Sequence, residues 1–231
     1  MTRVVAVPLG YVLQWLYSLF SNYGLSIIVF TLIIRLIIMP LYAAQLNSSR
    51  RMMEIQPLLK EIQEKYKGDT VKMNEAMQDL YQEHKINPAM GCLPLIIQLP
   101  FIWGLFGLLR NPLNYITDDS MILAVHESFF WVNDLSQPDP WIFPILAGVA
   151  TFISMKLTTL ISGQSDSNNP AASSMKMMQY FMPVMIVWMA RSMPAGISLY
   201  WVVSYFFQIF QIFVMRKPNK IIKEERLENI D

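Results

Sequence analysis

"TLIIRLIIMPLY", residues 31–42, sets one arginine inside an apolar run, and the setting of that run decides the fold. The stretch around it, Gly24 to Ala44, holds no other charge. A bilayer's hydrocarbon core is about 30 Å thick, so a spanning helix needs about 20 mostly apolar residues, and this stretch qualifies. The whole chain agrees. Of 231 residues, 54% are apolar and 15% charged, with a mean hydropathy of +0.34. Such a balance belongs to an integral membrane protein.

Four more stretches approach spanning length. Cys92 to Leu109 is interrupted by Pro94 and Pro100, and Trp141 to Ile161 carries Pro144 and Lys156. Met177 to Ala190 is short and needs flanking residues or a locally thinned bilayer to cross, and Gly196 to Met215 closes the series. The expected fold class is all-α integral membrane, with five transmembrane helices, a cytosolic helical hairpin and an N-terminal interfacial helix. By residue number, the interfacial segment covers 1–23, the first span 24–44, the hairpin 45–91 and the second span 92–110. An extracytoplasmic loop follows over 111–140, then the third span (141–161), a flexible polar loop (162–176), the fourth span with its turn (177–195), the fifth span (196–215) and a tail (216–231).

Orientation follows from the basic residues. Residues 45–91 carry seven (Arg50, Arg51, Lys60, Lys65, Lys67, Lys72, Lys85) and the tail five, whereas 111–140 has none and five acids. Positive loops stay inside. The hairpin and the C-terminus are expected in the cytosol of a multi-pass membrane protein, with the N-terminus outside. Arg191 falls on the wrong side and is expected to snorkel at the interface. The stretch "VPLGYVLQWLYSLF" is too short to span, and Tyr11, Trp15 and Tyr17 suit a helix lying on the outer surface. A signal peptide is the alternative, but no A-x-A-like site follows, so retention is expected. Cys92 stands alone and reads as a packing residue.

Within 45–91, Ile55, Leu58, Ile62 and Tyr66, and then Met73, Met77, Leu80 and His84, step by three and four. That is the period of two amphipathic helices. Gly68 ends the first, Asp69 or Thr70 caps the second, and Pro57 is expected to kink or restart the first. A structured connection of this length predicts a surface that partners or substrates touch.

Arg35 lies eleven residues, roughly 16 Å, from the outer end of its span, close to the midplane. An arginine there costs about 2.5 to 3.5 kcal/mol, so it is expected to face a bundle interior or water rather than lipid. No span contains an aspartate or glutamate to pair with it. Trp201, Ser204, Gln208 and Gln211 share one face of the fifth span, Thr151 and Ser154 lie three apart in the third, Gln98 is in the second, and Thr31 precedes Arg35 by one turn. Each polar residue alone reads equally well as glue between helices. Together they cluster from the midplane to the cytosolic side, while the outer halves hold little beyond Ser26 and Ser198. The pattern predicts a cavity open to the cytosol and closed outside, attractive to acidic or polar chain segments.

Several motifs resemble the YidC, Oxa and Alb family of membrane insertases. "NPAMGCLPLIIQLPFIWGLF" (87–106) looks like the entry to that family's second conserved span, "FTLIIRLIIMPL" like its first with the groove arginine, and "MPAGISLYWVVSYFFQIFQ" like its last. "FFWVNDLSQPDPW" followed by "PILAGVATFISMKL" fits the approach to the third. The resemblance covers about residues 8 to 217 and is closest to the short Gram-positive kind, without a large periplasmic domain. It implies a hydrophilic groove open to the cytosol and to lipid, in which Arg35 is the groove arginine and Trp201 the tryptophan of an "LYW" motif. Ser154 stands where relatives often carry glutamine. An apolar slide would draw on Ile102, Phe106, Ile197 and Phe206, for which lipid-facing packing is an equal reading. The implied partners are nascent membrane proteins, the Sec translocon, membrane lipids and, by the same resemblance, the ribosome and signal recognition pathway, the last two weakened by a short, mildly charged tail.

The sequence holds no P-loop, metal cluster or nucleophile with its base. It therefore predicts no bond chemistry, no catalytic residue, no metal, no cofactor and no nucleic-acid recognition. A transporter or channel and a non-catalytic assembly partner of the translocon are the competing readings. Repeated broken helices or polar outer halves would favour the former, and the sequence has neither.

Overall fold

The computed structural model describes residues 2–87, 93–110, 123–161 and 170–215, with side chains left aside at 2–5, 93–98, 109–110, 161, 170–176 and 178. The described residues are helical apart from turns and one isolated bridge between Phe129 and Val132. Eight helices follow in order: α1 (Thr2–Phe20), α2 (Tyr23–Glu54), α3 (Gln56–Lys65), α4 (Thr70–Glu83), α5 (Leu93–Arg110), α6 (Ile142–Ile161), α7 (Pro170–Ala190) and α8 (Ala195–Met215). Among the described residues, α2, α6 and α8 are each long and apolar enough to cross a membrane. Shorter apolar stretches occur at Ala6–Phe20, Leu99–Leu108 and Gln179–Ala190.

Helix α8 is central and packs on α2, α5, α6 and α7, while α1 lies against α2 and α5. Ala6, Leu9, Leu13 and Leu16, spaced three and four apart, are the buried stripe of α1, and Tyr11, Trp15 and Leu19 remain exposed. That periodicity is the ordinary signature of a one-sided helix. The main core joins this stripe to Tyr23, Ile27 and Phe30 of α2 and to Leu199, Tyr200 and Trp201 of α8.

Helix α2 does not stop at the edge of its apolar run. Asn22 caps its start by accepting from the Leu25 N–H, and the helix continues through Pro40 to Glu54. It breaks at Ile55 because Pro57, in the first turn of α3, removes an N–H and fixes its own φ. Gly68, at φ 104°, turns the chain after α3, and the Asp69 carboxylate caps α4 through the Lys72 N–H at 3.1 Å. Helices α3 and α4 pack around Ile55, Leu59, Leu80 and Ile86. Helix α7 begins at Pro170, well ahead of the expected Met177, since proline is pre-organised for a first turn and Ala171 and Ala172 favour helix. Cys92 lies outside the described residues.

A structured loop gathers one end of the bundle. Glu127 accepts from the Tyr17 hydroxyl and from the Tyr23 N–H. Leu135 and Gln137 offer carbonyls to the N–H groups of Gly196 and Ala195 at 3.0 and 2.8 Å. Asp139 caps α6, accepting from the Phe143 N–H at 2.7 Å, the Trp141 N–H at 3.2 Å and Trp131 Nε1 at 3.1 Å. Helices α2, α6 and α8 therefore all start at this end. The Arg191 guanidinium stacks 4.1 Å over the Trp141 ring, a cation–π contact that gives this out-of-place charge a partner.

Candidate substrate groove

Running parallel from a common end, α2, α6 and α8 bring their polar positions to matching depths. Arg35 of α2 is half-buried, and its electrostatic neighbours are the phenols of Tyr200, Tyr205 and Tyr42. Among the described residues no carboxylate joins them. A guanidinium beside phenol oxygens gains some compensation, but no neutralising charge.

Tyr42 sits two turns beyond Arg35 on the same face of α2 and approaches Gln208 of α8 and Thr158 of α6. Its hydroxyl is buried and closes no hydrogen bond of normal geometry with either. Tyr205 meets Thr151 across the α6–α8 contact. Ser154 of α6 and Ser204 of α8 are buried with both hydroxyls unpartnered, and Gln211 is buried with neither amide atom hydrogen-bonded. Small serines let the two helices approach closely, which explains the packing but not the missing partners. Each such orphan costs about 1 to 3 kcal/mol unless something else binds it. The arrangement thus offers a cation, phenol and alcohol hydroxyls and an amide, able to donate to and accept from water or a polar chain.

Not every expected position joins this set. Thr31 and Thr151 are fully buried, and their hydroxyls donate to the carbonyls of Ile27 and Ala147, each at 2.6 Å, the usual local solution for threonine in a helix. Trp201, at 1% exposure, belongs to the apolar core. Gln208 is half-buried beside Tyr42. Gln98 lies in α5, but its side chain is outside the described residues. Of the apolar candidates, Ile102 and Phe106 are half-buried against the core and Phe206 is exposed. Ile197, at 0% exposure, is buried in the core, where the first turn of α8 is held into the bundle by the loop carbonyls of Leu135 and Gln137.

Tyr42, Thr158, Tyr200 and Tyr205 were not singled out by the sequence reading. Tyr42 had a signal in its spacing, seven residues from Arg35. The phenols of α8 had none, since only the packing of α8 on α2 brings them to the arginine.

The family model described as "60Kd inner membrane protein" matches residues 15–224. Membrane protein insertase YidC 2 of Listeria innocua is 38% identical over 230 residues, covering 97% of this chain and 75% of its own. YidC of Caldanaerobacter subterraneus is 38% identical, covering 96% of this chain and 98% of that protein. Membrane protein insertase MisCA of Bacillus subtilis is 38% identical, covering 94% and 79%. Among solved structures, an active YidC insertase with its first transmembrane domain resolved superposes with a TM-score of 0.67 at 30% identity. That match covers 94% of this chain, which spans 46% of the solved one.

Proposed function

We propose, from the premise that the chain belongs to the 60Kd inner membrane protein family, that it is a membrane protein insertase and chaperone for small membrane proteins, working alone or with the Sec translocon. It is a multi-pass protein of the bacterial plasma membrane, in which α2, α5, α6, α7 and α8 are the five spans and the α3–α4 pair stands in the cytosol. The end gathered by Glu127 and Asp139 faces outward, because residues 111–140 carry acids and no lysine or arginine.

The observation that carries this reading is Arg35 among three phenols with no described carboxylate, in a bundle whose α2, α6 and α8 also bury polar atoms that lack partners. A resident structural charge in a bilayer is normally paired. An unpaired one beside unfilled donors and acceptors suits a partner that comes and goes. Water fills the groove between events, and the polar N-terminal region or loop of a nascent membrane protein replaces it. The substrate's apolar segment then leaves sideways into lipid past α5 and α8, over half-buried Ile102 and Phe106 and exposed Phe206. No covalent bond changes, so catalysis here is a lowered cost of carrying hydrophilic chain part way across the membrane.

The purified chain, reconstituted alone in liposomes, is expected to insert a small single-span protein to a protease-protected state. Liposomes with the chain that insert no more than empty ones would defeat the reading and leave a translocon assembly role. Solute or ion flux through the same liposomes would favour a transporter.

A further inference from the structure

Beyond its apolar part, α2 continues toward α3 and α4, and Arg50 lies on that continuation. Its Nη2 donates to the carbonyl oxygen of Met215 at 2.6 Å, a contact across 165 positions. Met215 lies in the last described turn of α8. A charged donor makes about twice as strong a bond as a neutral one. Asn47 Oδ1 receives Nη1 one turn back, at a long 3.4 Å.

The position of this bond along α2 gives it a mechanical meaning. Before it, Gln45 and Leu46 are buried. After it, Met52 and Ile55 already belong to the cluster of α3 and α4, and the helix breaks between Glu54 and Gln56. Arg50 therefore stands between the groove residue Tyr42 and the break from which the α3–α4 pair departs. Its exposed neighbour Arg51 points elsewhere on the helix.

We propose that Arg50 is a positioning residue for insertion: by clamping α8 at Met215 it fixes the direction in which α2 presents the α3–α4 pair beside the groove. The role rests on the insertase reading, and Arg50 itself touches no substrate. Hydrogen exchange on the full chain in phospholipid vesicles, alongside insertion of a single-span substrate, tests it for the wild type, Arg50→Ala, Arg50→Lys and Arg51→Ala. Arg50→Ala is expected to speed exchange about tenfold at residues 212–215 of α8 and across residues 45–54, the loss of one charge-assisted bond, and to slow insertion severalfold with substrate binding unchanged. Arg50→Lys should recover part of both effects, and Arg51→Ala should move neither. Unchanged exchange in Arg50→Ala overturns the clamp, and faster exchange with an unchanged insertion rate overturns the positioning role. A wild-type chain that inserts nothing sinks the insertase reading and the positioning role together, while exchange still decides the clamp.

Discussion

The two ends of the α2–α6–α8 bundle treat polar groups in opposite ways. At the Tyr23 end, Glu127 accepts from two donors, Asp139 from three, and the first N–H groups of α8 find loop carbonyls. The Tyr23 hydroxyl, buried without a partner, is the exception there. Further along the same helices, Tyr42, Ser154, Ser204 and Gln211 bury polar atoms that nothing in the described residues satisfies. A satisfied network in a low-dielectric setting rigidifies, whereas a partly satisfied one is costly and retains capacity for a visitor. The first end closes on itself, and the second is the one proposed as a receptor.

The contrast breaks most visibly at Arg35. Arg35→Ala should leave the fold intact, since it removes a charge with no described counter-ion, and yet reduce insertion of substrates with acidic translocated segments by about a hundredfold or more, on the order of 3 kcal/mol. Insertion assays in liposomes read this directly. Arg35→Lys should keep much of the activity if charge rather than the planar fork matters. Full insertion by Arg35→Ala of every such substrate removes the electrostatic half of the mechanism.

Next in size is the closure. Asp139→Ala strips three donors at the start of α6, including its cap, and should cost about 3 kcal/mol, seen as a lower unfolding midpoint in detergent. The pH dependence has a definite sign. Burial opposes ionisation of Asp139, but the N–H groups of Phe143, Trp131 and Trp141 outweigh it and hold the carboxyl below its ordinary value. Its contribution is complete above the unfolded carboxyl value of about 3.9 and falls as pH drops through the lower folded value. Acid destabilisation from this group should therefore begin only below about pH 4 and vanish in Asp139→Ala. Hydrogen bonding to Glu127, reinforced by burial, likewise pushes the Tyr17 phenol up to about 12.

Gly24→Ala probes the same end by shape. An added Cβ would fall 2.2 Å from the Phe129 ring, and overpacking of this kind costs about 1 to 3 kcal/mol. Loss of stability without loss of the insertion rate per folded molecule is the expected pattern. The smallest effect should come from the receptor end. Ser204→Ala and Gln211→Leu remove unpartnered polar atoms and should leave the unfolding midpoint unchanged or slightly higher, because no intramolecular bond is lost. Their insertion rates should fall. A midpoint lowered as far as in Asp139→Ala would mean that these groups are structural, and the two ends would no longer differ in kind.

Much of this was legible along the chain. The apolar run around Arg35 and the three-four spacing of Ile55, Leu58 and Ile62, and of Met73, Met77 and Leu80, are local patterns that dictate helices whatever they pack on. Pro57 and Gly68 marked breaks because their backbone limits are their own. The site was legible only in part. Ser154, Ser204 and Gln208 could be suspected as polar residues in apolar helices, but not that Thr31 and Thr151 satisfy themselves while Ser154 and Ser204 do not. Trp201, singled out by its motif, lies buried in the apolar core, and the end of α2 was hidden because helix continues as readily through polar residues as apolar ones.

What the sequence alone determined is the family, the helical class and the presence of an arginine too deep to ignore. These follow from composition, periodicity and motif order, each a property of neighbouring residues. Only the tertiary structure decided which groups meet: the phenols of Tyr200 and Tyr205 at Arg35, the Glu127 carboxylate on Tyr17 and Tyr23, and Arg50 on the Met215 carbonyl of α8. The reason is physical. A hydrogen bond or a missing counter-ion is a relation between distant parts of the chain, fixed by how close-packed helices turn their faces toward one another, and no single helix carries that information.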